Sequence, residues 1–338
     1  MSLFELPKFR ANIEPIIEKH GIELSGLTRS GFARLTLVTT DVREAIEGAD
    51  LIQIVCPAYG HKILSEACIP HLQEGQTVVF YGKGGASLEF SKILKRSGKA
   101  KDILVGETNS LPYACRIVGP GRVHIYDSAK TLMAASFPSK RTQELLEKLK
   151  EVYPVAEPAA NVLETMLNDI NAVVHPPAVL LNAGRIEYSK GEFFLYDEGI
   201  TQSVAKVIEQ VDKERVEILE ALELKSTSLY DKLSINSSQH FNSLYEAIRI
   251  GLKSHLKIKG PQNLYDRYLT EDIPYGLVTF ASFGKLLGVE TEVSKSLIAL
   301  ASALHSIDYW ETGRTLDKLG LDGFNKQHLL KFVQSCDV

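Results

Sequence analysis

Two hydrophobic periods divide the chain near residue 155. Before that point short β-branched runs alternate with stretches of helical spacing, the pattern of βαβ units and a mainly parallel sheet. Leu3-Phe4-Glu5 reads as the end of one strand, Lys8 to Lys19 as a helix, Leu35 to Thr39 as a short strand and Val42 to Gly48 as a further helix. The run from Leu51 to Cys56 is continuously apolar apart from Gln53, which predicts a strand buried on both faces near the sheet centre. His61 to Leu72 is helical. Thr77 to Tyr81 is a second buried strand, ending in Gly82-Lys83-Gly84-Gly85. Ser87 to Ser97 supplies a helix and Asp102 to Val105 a strand; Arg122 to Tyr126 and Thr131 to Ser136 are expected as strands added on one edge, before a helix over Lys140 to Val152.

Beyond Pro154 and Pro158 the spacing becomes that of long amphipathic helices: Val162 to Lys190, Glu198 to Leu222, Phe241 to Ser254, Glu292 to Ile307 and Lys326 to Gln334. The expected architecture is therefore α/β, with a doubly wound parallel sheet over residues 1–155 and an all-α domain over 156–338. No repeat of solenoid period and no low-complexity tract interrupts it.

Composition narrows the function. With 44% hydrophobic and 24% charged residues the chain has material for two ordinary cores. A formal net charge of -4 provides no basic field for nucleic acid or an anionic membrane surface. Cys56, Cys68, Cys115 and Cys336 lie without CxxC spacing, which argues against a zinc site and against a disulfide framework and fits a reducing, cytoplasmic setting. No stretch has the uninterrupted apolar length of a membrane span. The partners expected are small molecules, and the long helices allow a homodimer.

Candidate chemistry lies in two places of the helical half. Asn168, Asn171, His175 and Asn182 recur on an apolar background at spacings of three, four and seven, so on one continuous helix they fall within roughly 60° of each other. Such a stripe needs hydrogen-bond partners and predicts a polar cleft. Pro176 and Pro177 remove two amide donors and predict a kink just beyond His175. A core imidazole capping that kink is the structural alternative. The second place is the segment from Tyr265 to Gly276, dense in charge and aromatics. There Arg267 can clamp a carboxylate bidentately and Asp272 can orient an imidazole. Alternatively Arg267 pairs with a neighbouring acid, and Thr270 to Asp272 caps a helix beginning near Pro274.

In the first half, ligands of an open α/β sheet bind at the carboxyl ends of the strands. Glu5 at the first strand end, Pro57 and Ala58 after the Leu51 strand, Gly84 in the glycine turn and Glu107 after the Asp102 strand are the candidates for a dinucleotide. A carboxylate at Glu5 favours NAD over NADP, whereas Lys8 and Arg10 nearby can accept a 2′-phosphate. Gly82-Lys83-Gly84-Gly85 lacks both GxGxxG spacing and the Walker ending, so it reads as a tight strand-to-helix turn lining the crevice.

With these residues in view, the sequence resembles the NAD/NADP octopine/nopaline (opine) dehydrogenase family over nearly its whole length. The resemblance rests on LFELPKF with NIEPIIE, GFARLTLVTTD with EGADLIQIVCPA, GETNSLPYACR, NDINAVVHPPAVLLNAGRIEY and RYLTEDIPYGL. It implies a Rossmann-type sheet joined to a helical substrate domain, and NAD or NADP as cofactor. The implied activity is reversible reductive condensation of an amino acid with a 2-oxo acid. His175 and Asp272 are then a catalytic dyad and Arg267 holds a substrate carboxylate, with Asn171 and Asn168 beside them on the substrate side. One departure stands at the front: the family's first strand, GxGxxG turn and helix are absent from these 338 residues. The expectation is a Rossmann sheet with its first strand and helix missing, an unfilled central slot and weakened cofactor binding. Two other readings remain open, a cofactor-deficient helical binding or dimerisation protein and a reductase of the glycerol-3-phosphate or ketopantoate type. The last would place a lysine on the first long helix, where Val162 to Lys190 offers only Lys190.

Overall fold

The computed structural model describes residues 1–27, 30–98 and 102–336. The chain forms two compact units, one of Met1–Gly82 with Ala86–Val162 and one of Lys83–Gly85 with Leu163–Val338.

In the first unit the strands fall into three sheets. β1 (Ser2–Phe4) leads into α1 (Arg10–Lys19), β2 (Gly21–Gly26), β3 (Gly31–Arg34) and β4 (Leu37–Thr39), followed by α2 (Val42–Ile46) and β5 (Leu51–Ile54). Next come α3 (His61–Cys68), β6 (Thr77–Phe80), α4 (Ala86–Arg96) and β7 (Leu104–Thr108). β8 (Tyr113–Gly119), β9 (Arg122–Ser128), β10 (Leu132–Ser136), α5 (Thr142–Val152) and β11 (Ala156–Pro158) complete the unit.

The main sheet has the order β11-β10-β7-β6-β5, parallel from β5 to β7, with β10 antiparallel to β7. β6 is buried at every position, because apolar clusters cover both its faces: Val78 and Phe80 pack with Ile54, Leu72 and Phe90 on one side, Val79 with Leu132, Leu145 and Leu149 on the other.

Two expectations are corrected, for the Leu51 and Arg122 strands. The Leu51 strand is an edge, not the centre: β5 pairs with β6 alone, and Leu51 and Gln53 are only half-buried between buried Ile52 and Ile54. The Arg122 strand does not extend the main sheet. It belongs to a separate sheet, β3-β2-β9-β8, whose strands β2 and β3 are glycine-bearing and part-polar and so carry little strand signal. β1 pairs only with β4, in a parallel two-stranded sheet, although Phe4 packs on the same apolar cluster as Ile52 and Ile54. Among the described residues β1 and β5 therefore each keep one unpaired edge.

The second unit is helical. Its elements near the site are α6 (Val162–Leu167), α7 (Asn171–Leu180), α8 (Ala183–Ser189), α9 (Gln202–Ala221), α10 (Leu229–Ser237), α11 (Leu244–Gly251), α12 (Arg267–Thr270), α13 (Val278–Leu287) and α14 (Glu292–His305). The single helix expected over Val162 to Lys190 is three. Its breaks fall around Asp169 and around Leu181, while Pro176 and Pro177 sit inside α7. The first break is made by the Asp169 carboxylate, which accepts the Asn171 backbone N–H at 2.9 Å and so starts a new helix. No described helix is long and apolar enough to cross a membrane.

Candidate active site

α7 is apolar on all sides and buried along nearly its whole length, so His175, in its middle, is held among side chains of neighbouring helices. Its ring lies 4.1 Å, centre to centre, from that of Tyr268 on α12. Asp272, just past the end of α12, places Oδ2 2.6 Å from His175 Nδ1. Burial on its own raises a carboxyl; here the Lys83 ammonium and His175 outweigh it and hold Asp272 down at about 2. An ionised carboxylate only accepts hydrogen bonds, so Nδ1 carries the proton and Nε2 presents a lone pair. That lone pair accepts the Tyr196 hydroxyl at 2.9 Å. The imidazole is thus fixed in one tautomer, with Nε2 the atom that can exchange a proton.

Arg267 is the first residue of α12, behind an Asp266 cap whose carboxylate accepts the Tyr268 backbone N–H. Its side chain is 44% exposed; the guanidinium touches Glu271 Oε2 at 3.3 Å and lies over the Tyr268 ring, 5.8 Å from its centre. Arg267 thus pairs with a neighbouring acid, whereas the Asp272 side chain does not cap the next helix, its oxygens being taken by Lys83 and His175; a π-helical turn at Ile273–Leu277 with Pro274 at its start leads into α13.

The asparagine stripe disperses once the helix is broken. Asn171 is exposed at the start of α7. Asn168 is buried, gives its amide to the carbonyls of Glu164 and Lys225, and accepts Arg215 Nη1 at 3.0 Å. Asn182 bridges the carbonyls of Ala178 and Gly199. These bonds tie the latter two side chains to the frame around His175.

Sequence reasoning missed Lys83, Asp169, Tyr196 and Tyr268. The Lys83 ammonium, 5% exposed, is ion-paired with both Asp169 and Asp272. A lysine between glycines looks like a solvent-exposed turn, and its partners lie far along the chain. The one available signal was the apolar strand before it, which carries the turn into the interior.

In the first unit, Glu5 follows β1 half-buried and accepts the Leu6 backbone N–H at 2.7 Å. Pro57 and Ala58 form the turn after β5, where Ala58 is buried. At Gly82, just past β6, an added Cβ would meet nothing within 4 Å. A carboxylate at one strand end, and small residues and open space at two others, fit the ribose and ring ends of a dinucleotide. Gly84 gives its carbonyl to Arg314 at 2.7 Å within the second unit. Glu107 is fully buried, and its Oε2 accepts the Ser87 backbone N–H and hydroxyl at the start of α4. Its carboxylate therefore serves the first unit's own frame.

The model of the NAD/NADP octopine/nopaline dehydrogenase α-helical domain matches residues 158–305. An opine dehydrogenase of Arthrobacter sp. (strain 1C) is 36% identical over 323 residues, covering 95% of this chain and 89% of that protein. This chain belongs to the opine dehydrogenase family. Solved opine dehydrogenases share its fold. An octopine dehydrogenase described with NADH and L-arginine superposes with a TM-score of 0.75 at 22% identity, covering 97% of this chain and 89% of that one. A yersinopine dehydrogenase described with NADP+ does so with a TM-score of 0.70 at 15% identity, covering 98% and 91%.

Proposed function

We propose that this opine dehydrogenase joins the amine of an amino acid to the carbonyl of a 2-oxo acid, reversibly, with NAD or NADP as redox partner, and that His175, Asp272 and Arg267 carry the substrate chemistry. The observation that carries the reading is the 2.6 Å pair of His175 with an ionised Asp272, its far nitrogen Nε2 left as the exchanging atom.

Arg267 binds the carboxylate of the oxo acid through its donor fork and orients the adjoining carbonyl. The amine adds to that carbonyl; loss of water from the adduct gives a C=N bond. The nitrogen, entering as an ammonium, gives up two protons along this path; His175 takes each on the Nε2 lone pair and passes it to the departing oxygen, which leaves as water beside a protonated C=N, and in reverse it returns them. Asp272 stabilises the imidazolium between those events, and the Tyr196 hydroxyl exchanges its hydrogen bond with Nε2 as the proton moves. When bound, the reduced nicotinamide supplies the hydride that converts C=N to a secondary amine. Glu5 would hold the ribose hydroxyls, and Pro57 and Ala58 would lie against the dinucleotide. Asn171, exposed at the start of α7, is placed on the substrate side; Asn168 acts there only through the frame it braces.

Four free cysteines support a cytoplasmic setting. The exposed Leu300, Leu304 and Trp310 support a homodimer through the end of α14.

The test is to mix amino acids and 2-oxo acids with NADH or NADPH. The expected outcome is cofactor oxidation only when both acids are present, and a product whose mass equals the two acids less one oxygen. Oxidation with the oxo acid alone, giving a hydroxy acid, would show a simple keto-acid reductase instead.

A further inference from the structure

We propose that Lys83 is a positioning residue for this reaction: clamped between Asp169 and Asp272, its ammonium holds the Asp272 carboxylate ionised and aimed at His175. The inference rests on the dyad reading above.

The geometry is a chain of four side chains. Asp169 and Asp272 both contact the Lys83 ammonium, and the other oxygen of Asp272 contacts His175. Each oxygen of Asp272 thus has one partner, Oδ1 toward Lys83 and Oδ2 toward His175, which fixes the plane of the carboxylate. Lys83 is itself pinned. The Gly84 carbonyl next to it accepts from Arg314, a side chain that also lies over the Tyr275 ring. Gly85 turns the chain with φ +85, where an added Cβ would press on Met166, Leu319 and Arg314. Gly276 leaves room above: an added Cβ there would stand 2.3 Å from that of Ala172 and 3.6 Å from the Lys83 nitrogen.

Burial lowers the proton affinity of Lys83, but Asp169, Asp272 and Glu271 outweigh it and keep the ammonium charged. A nitrogen so held has no lone pair to offer a carbonyl, which separates Lys83 from a nucleophilic or base lysine.

Charge counting gives the functional consequence. Lys83, Asp169 and Asp272 together carry one net negative charge beside His175, and protonation of the imidazole brings the four to neutrality. Glu271 and Arg267 form an additional pair nearby, Lys232 on α10 adds a cation shared between Asp169 and Asp212, and the Tyr196 hydroxyl and the Tyr268 ring contact the imidazole. The cluster therefore sets the pH at which the dyad takes up its proton. Removing the ammonium raises that pH, and removing the Asp169 charge lowers it.

The experiment measures the titration midpoint of the dyad from histidine side-chain NMR of the full chain, and beside it the acid limb of kcat/KM for opine oxidation. Lys83→Met is expected to move both upward by about one pH unit. Asp169→Asn, which keeps an oxygen for the Asn171 N–H, moves them downward by a similar amount. The double variant returns them toward the starting value. Lys83→Met shifts relative to its own folded state; if it does not fold, the downward shift in Asp169→Asn decides. Unmoved midpoints, or shifts of the same sign in the two single variants, would overturn the proposal. NMR shifts of opposite sign in a protein without opine turnover would support Lys83 while refuting the proposed reaction.

Discussion

In the proposed reaction His175 handles the proton and Arg267 the carboxylate, and their surroundings differ accordingly. The imidazole is buried and held on both nitrogens; the guanidinium stands part-exposed on α12, paired with Glu271 and over the Tyr268 ring. Replacing Arg267 by Ala removes a charge-assisted, two-pronged bond and is expected to raise KM for the oxo acid by about a hundredfold, roughly 3 kcal/mol. Arg267→Lys keeps the charge without the fork, and its KM should fall between the two. Steady-state kinetics with varied oxo acid checks both; an unchanged KM in Arg267→Ala would remove the clamp from the account. At this scale the sequence was informative wherever a residue type carries its own chemistry: a histidine among apolar neighbours, an aspartate and an arginine in one charged segment. Lys83 and Tyr196 were not legible, since their roles come from partners at Asp272 and His175 that no local spacing reveals.

Elements hold these groups through a buried polar bolt between α6, α9 and α10. Arg215, fully buried on α9, bonds Asp212 at 2.9 Å, the Asn168 side chain at 3.0 Å and the Thr227 carbonyl at 2.7 Å. Asp212 in turn accepts the Leu229 backbone N–H at the start of α10. Because α6 ends at this bolt and Asp169 follows it, the break that frees Asp169 to meet Lys83 is fixed from beneath. Arg215→Met leaves a buried carboxylate without its cation and should destabilise the protein by about 3–5 kcal/mol in urea denaturation. A loss below about 1 kcal/mol would show that the bolt is incidental. The helical period located most helices of this half, yet it read three as one. Asn168, Asp169 and Ile170 fit the apolar and polar spacing of a continuing helix, and only the Arg215 and Asn171 bonds disclose the break. α10 escaped because it is short and polar, while α13 was foreseen only as the helix expected to begin near Pro274.

Across the whole molecule, the alternation of strand and helix followed by helices alone gave the fold class, and the match to opine dehydrogenases covers almost the entire chain. What periodicity missed was sheet membership. β5 ends one sheet and β1 belongs to another, because strand neighbours are chosen by tertiary pairing and not by the sequence of each strand. Glu107 has a structural task that its place after a buried strand did not suggest: its carboxylate accepts Ser87 at the start of α4. The proposed reaction depends on His175 and Asp272 as its proton carrier. Its most direct measurement is the turnover of His175→Ala, followed through the consumption of reduced cofactor with a productive pair of amino acid and oxo acid. Loss of general acid–base catalysis predicts a fall of about 10²–10⁴-fold in kcat with the fold intact; a rate within a few-fold of the unaltered protein would contradict it.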